Sequence, residues 1–156
     1  KMGSTNANAP TVKQSIAIGE SKMSLDYTSI TWADGKTMNR IMDKEAGAGM
    51  RKRMSENAAN APLGSFTSSV DVMVGDAHLP AGDYKVFFTI DDSLAWSINF
   101  MGKDGKTHQV KLQLEDSQHE SKRLMLCLYA EENGAGAYVA FGNKSGMLTF
   151  KPHDSK

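Results

Sequence analysis

The stretch Gly82-Asp-Tyr-Lys-Val-Phe-Phe-Thr-Ile90, followed after a short break by Leu94-Ala-Trp-Ser-Ile-Asn-Phe100, decides the fold class. Tyr84, Val86, Phe88 and Ile90 recur at every second position, and so do Leu94, Trp96, Ile98 and Phe100. Successive residues of a strand point to opposite faces, so a period of two marks a half-buried strand. The same period extends outward on both sides. Met23, Leu25 and Tyr27 share one face, after which Ile30 and Trp32 take the opposite parity, which predicts a bulge or kink near Ser29. Phe66, Val70, Val72 and Val74 read as one strand, and Val110, Leu112 and Leu114 as another. Leu124, Leu126 and Leu128 lead into strands over 138–141 and 147–150. Gly102-Lys-Asp-Gly105 and Asn133-Gly134 supply residues that tolerate positive φ in tight turns. Some eight or nine strands (about that number) at this spacing predict an all-β fold, an antiparallel β-sandwich or jelly-roll-like barrel. Neither a βαβ rhythm nor an internal repeat is visible.

Alternation stops over residues 36–64. There Met38, Ile41, Met42, Met50 and Met54 recur at helical offsets, and Gly47 and Gly49 divide the segment into two short helical pieces or a loop. An insertion of this length between strands is uncommon in a compact domain and is often functional. The expected organisation is therefore a flexible N-terminal segment over 1–14, one domain over 15–151 interrupted at 36–64, and a tail over 152–156.

Composition narrows the function classes. Eighteen Lys and Arg balance eighteen Asp and Glu, so electrostatic capture of nucleic acid or of an anionic membrane surface is not the expected activity. No apolar run approaches the length of a membrane span. Ten Met, six Phe, four Tyr and two Trp add enough large apolar side chains for one core. Cys127 is the only cysteine, which excludes an internal disulfide, and its apolar neighbours predict a buried, inert thiol.

Leu79-Pro-Ala-Gly-Asp-Tyr84, followed by Trp96-Ser-Ile-Asn99, resembles the bacterial family called domain of unknown function 2911, in which such a turn precedes a Trp-bearing strand. The similarity extends loosely over residues 15–151. Asn39-Arg40-Ile41 matches part of a second family segment, whereas Ser55-Glu-Asn-Ala-Ala-Asn60 departs from a third. The resemblance implies an all-β fold and an exported, extracytoplasmic bacterial protein, and it implies no established reaction. The residues support a structural role for this turn independently. Pro80 fixes φ near −65° and Gly82 admits positive φ, so the turn delivers Tyr84 and, beyond it, Trp96 into the core.

His78, His108, His119 and His153 are scattered and read as surface residues. Asp91-Asp92, Glu115-Asp116 and Glu131-Glu132 fall at turns without a calcium-loop pattern. No nucleophile elbow, phosphate loop or dinucleotide fingerprint occurs. Arg40, Arg51 and Arg53 form the densest basic cluster and are the candidate ligand-binding residues, with Arg40 suited to a bidentate anion contact. Met38, Met42, Met50 and Met54 form either an apolar wall or a soft Cu(I) site. The leading expectation is a non-enzymatic β-sandwich without a cofactor, binding a small ligand or an envelope protein, or serving structurally there. Two rivals remain: a hydrolase with a cleft beside the 36–64 insertion, and a Met-based copper-binding protein. In each, the insertion is where recognition belongs.

Overall fold

An alternating strand leaves its backbone N–H and C=O groups in the plane of a sheet, and each needs a partner on a neighbouring strand. In the computed structural model, which describes residues 6–153, antiparallel strands in two sheets supply those partners. The strands are β1 (Thr11–Val12), β2 (Ser15–Ile18), β3 (Ser21–Thr28), β4 (Gly64–Ser68), β5 (Val72–Val74), β6 (Ala77–Leu79), β7 (Gly82–Ile90), β8 (Trp96–Gly102), β9 (Thr107–Leu112), β10 (Glu115–Glu131) and β11 (Gly134–Pro152). The first sheet runs β1-β3-β4-β7-β8-β9 with β2 also on β3, and the second runs β10-β11-β5-β6. Their inner faces meet in a shared core. Phe66 of the first sheet stacks on Phe150 of the second at 4.9 Å between ring centroids, and Phe100 meets the same ring edge-on at 6.2 Å. The all-β sandwich with a helical insertion is thus the observed architecture.

The deciding stretch forms β7 and β8, in the register Val86↔Phe100 and Ile90↔Trp96. Gly82 has φ +148, and the Tyr84 hydroxyl donates to the Pro80 carbonyl at 2.5 Å, tying the turn to the strand it feeds. Tyr84 is buried, but Trp96 only partly so, packed against the edge of the core.

Several sequence expectations change in the folded chain. The parity switch at Ser29 is a change of sheet, not a bulge. Beyond it the backbone pairs with β10: Leu124 N–H donates to Ile30 C=O and Trp32 N–H to Lys122 C=O, each at 2.8 Å. Phe66 and Val72 likewise belong to different strands in different sheets, β4 and β5, so the run 66–74 turns a corner. Thr11, Val12 and Gln14, within the expected N-terminal segment, are hydrogen-bonded to the sheets. β1 pairs with β3, and the Gln14 side chain donates to Leu126 C=O and accepts from Leu128 N–H, filling β10's edge as a strand would. Residues 1–5 and 154–156, which include most of the expected tail, lie outside the described residues; Pro152 is strand, paired with Val72.

The two strands expected over 138–141 and 147–150 are one continuous run, β11, that doubles back. A Cβ at Gly134 would fall 2.4 Å from the Phe150 carbonyl oxygen, whereas sixteen extended residues would separate them by about 50 Å. Gly142, at φ +59, lies midway. In the expected turns, Gly105 takes φ +81, while neither Asn133 nor Gly134 adopts a positive φ. Cys127 is exposed, because the alternation that buries Leu124 and Leu126 turns residues 125 and 127 outward.

Candidate functional site

The insertion folds as α1 (Lys36–Ile41), α2 (Ala48–Asn57) and a 3-10 turn over Ala58–Asn60. Gly47 ends the gap between the helices, and Gly49 lies within α2 rather than breaking it. The last carbonyls of a helix have no partner of their own. Here Arg51 supplies one: its Nη1 donates to Ile41 C=O at 2.6 Å and Asp43 C=O at 2.7 Å, and its Nη2 to Lys44 C=O at 2.8 Å. This guanidinium is only 2 % exposed. Its charge is compensated by backbone dipoles at the negative end of α1, so Arg51 is a structural clasp and is not free to bind a ligand. Arg40 and Arg53 are exposed on the surface. The structure does not bring the three arginines together as one anion site.

Under these helices, between the two sheets at one end of the sandwich, lies a cavity of about 590 Å³. Its floor comes from Leu124 and Val139 of the second sheet and Leu112 and Phe88 of the first. Met38, Met42 and Met54 reach it from the insertion, and Met50 does not. Three of the four insertion methionines thus lie on the cavity lining. Both tryptophans of the chain line it as well. Trp32 stands edge-on to Phe141 at 5.1 Å and 88°, and Trp96 edge-on to Phe88 at 6.4 Å and 72°. Polar lining is sparse. Asn39, Asn57, Asn143 and Lys144 contribute it, and all four are exposed residues. The arrangement therefore offers an apolar interior with amides and one ammonium at its rim, the chemistry of binding an apolar molecule by its surface.

Trp32 owes its place to two glycines. Cβ atoms added at Gly35 and Gly142 would come within 2.9 Å and 2.4 Å of its indole ring, so the ring lies directly against bare backbone. Sequence reasoning named Trp32, Trp96 and Phe141 only as strand residues and passed over Asn143 and Lys144. One local signal was present: Phe87 and Phe88 are apolar in succession. Phe87 is buried on the opposite face from Val86 because α2 and the 3-10 turn cover that side of β7.

Elsewhere the titratable groups are ordinary turn residues. The Asp91 carboxylate accepts from the Ser93 hydroxyl at 2.7 Å and from the Ser93 and Ala95 amides at 2.9 Å, and these bonds hold it below the usual carboxylate range. Asp71 is lowered by the Ala81 amide and then by His78, whose Nε2 lies 3.2 Å from Oδ2. The rings of His78 and His153 lie 4.6 Å apart at this corner. Among the described residues, no group of three or more His, Cys, Asp or Glu is placed to hold a metal ion, and no helix is long and apolar enough to cross a membrane. Comparison with family models, with curated proteins and with solved structures finds no match.

Proposed function

We propose that this domain is a binding module that takes a small apolar molecule into the cavity between its sheets, with the 36–64 insertion as the cavity's outer wall. The observation that carries this reading is the cavity itself. Its volume of about 590 Å³ falls within the roughly 300–1,000 Å³ of small-molecule sites, and apolar side chains from both sheets and both helices line it. Aromatic rings supply broad contact at little entropic cost, and Met side chains adapt to irregular shapes. An extracytoplasmic setting is part of the proposal and is supported only by the resemblance of Leu79–Tyr84 and Trp96–Asn99 to an exported bacterial family.

Both tryptophans line the cavity, so intrinsic fluorescence reports on it directly. Titration with a neutral apolar probe such as N-phenyl-1-naphthylamine is expected to quench tryptophan emission saturably at one molecule per chain. Ala58→Phe, which fills the cavity from the 3-10 turn, should weaken that binding about tenfold or more, the loss of roughly 1.4 kcal/mol of contact. A linear, unsaturable response in the intact protein would refute the reading.

A further inference from the structure

The cavity carries its charge at one point. Of the residues lining it, only Lys144 is ionisable. Its side chain is 45 % exposed, and a half-exposed lysine on an apolar wall keeps its aliphatic stem on the wall and its ammonium toward water. A second depression of about 390 Å³ adjoins the first, sharing Met42, Trp96, Leu112, Leu114 and Lys144 and adding Lys111 and Glu115. Lys144 therefore stands at the junction between an apolar chamber and a more mixed vestibule that holds charged groups.

We infer that the ligand of this cavity is an amphipathic monoanion, an alkyl carboxylate by chemistry, with its chain between the sheets and its headgroup on the Lys144 ammonium. The inference rests on the cavity reading above and specifies its ligand class. The chain would fill a chamber without polar partners, leaving the headgroup at the rim. There Lys144 faces it, Lys111 reinforces the positive side, and Glu115 and Asp116 oppose it. Asp116 already accepts from the Lys144 ammonium, but its own side chain is 83 % exposed. Exposed pairs of this kind contribute little, and an ammonium has three protons to share. A carboxylate arriving with its chain buried therefore competes well with a carboxylate held in water. A cationic headgroup would meet Lys144 directly and be disfavoured.

The test compares decanoate, decanol and decylammonium at pH 7.5, below their aggregation limits, by tryptophan fluorescence of the intact chain. Decanoate should bind at least about fivefold more tightly than decanol, an advantage typical of a partly exposed charge-assisted hydrogen bond, and decylammonium should bind more weakly than either. Added salt should narrow the difference. Lys144→Met should bring decanoate to within about twofold of decanol in the same variant, and Lys144→Arg should restore the preference. Asp116→Asn leaves the cavity wall untouched and should tighten decanoate alone, so it tests the headgroup even if the lysine variants fold poorly. Equal binding of decanoate and decanol to the intact protein would overturn the anion assignment while leaving the cavity reading standing. A preference that survives Lys144→Met in the folded variant would overturn the role of Lys144. Binding of none of the three would remove the cavity reading and this inference together.

Discussion

Arg51 shows how much a single side chain decides here. It shares a basic cluster with Arg40 and Arg53, yet it alone is buried, clasping the last carbonyl oxygen of α1 and two in the loop that follows. Arg51→Met would take the guanidinium donors from the Ile41 and Lys44 oxygens, while Asp43 C=O would keep the Gly47 N–H at 2.9 Å. It should lower stability by about 2–4 kcal/mol, measured by denaturant unfolding, whereas Arg40→Met and Arg53→Met should change it by less than about 0.5 kcal/mol. Gly82 makes a different demand. Space around it is open, with nothing within 4 Å of an added Cβ, so only its φ of +148 resists substitution. Gly82→Val should cost about 1–3 kcal/mol through backbone strain, and an unchanged melting temperature would refute this account of the turn. Gly142 combines both constraints, a φ of +59 and the indole of Trp32 within 2.4 Å. Gly142→Ala should therefore shift the tryptophan emission maximum as well as destabilise the fold, because the ring has to leave its seat on the cavity wall.

At the scale of elements, the insertion and the edge strand carry the argument. Met38 and Met54 line the cavity from two separate helices, and Met42 from the residue that follows α1. As packing residues they should tolerate replacement by Leu, a swap that nearly conserves volume and costs less than about 1.5 kcal/mol per site. The variant with all four insertion methionines, Met50 included, changed to Leu should fold and bind decanol within a few-fold of the intact protein. Loss of a stoichiometric Cu(I) titration in that variant would instead favour the soft-ligand reading. Gln14 protects β10 by occupying the backbone groups of Leu126 and Leu128. Gln14→Ala should cost about 1–2 kcal/mol and, by baring a sheet edge, raise the tendency to aggregate on heating, readable by light scattering.

For the molecule as a whole, the response to acid follows from its turn carboxylates. Asp71, Asp83 and Asp91 are all held below the ordinary value, chiefly by the Ala81 amide, the Thr67 hydroxyl and the Ser93 hydroxyl respectively. A carboxylate whose folded value is depressed stabilises the fold fully above its unfolded value, near 3.9, and loses that contribution as pH falls through the folded value. The melting temperature should therefore drop as pH goes from about 5 to 2. Replacing all three by Asn, which keeps an acceptor oxygen but does not titrate, should flatten the drop. An equally steep fall in that variant would assign the acid sensitivity to other groups.

The period-two alternation of β7 and β8 established the fold class by itself, because a strand with one buried face must repeat every second residue wherever it lies in the fold. Proline and glycine around Tyr84 likewise announced their turn, since its demands on φ are local. The break in alternation over 36–64 marked the insertion that walls the cavity. Sheet membership was not legible: the change at Ser29 and the corner between Phe66 and Val72 look like irregularities within a strand, and only pairing with β10 and β11 shows them to be crossings. Burial of Arg51 was hidden for a related reason, as it depends on what covers a face rather than on neighbours in the chain, whereas the outward position of Cys127 was already implied by the alternation of Leu124 and Leu126. The cavity was the least legible feature. Trp32, Trp96 and Lys144 belong to segments far apart in sequence, and a shared wall between two sheets leaves no trace in the spacing along any one of them.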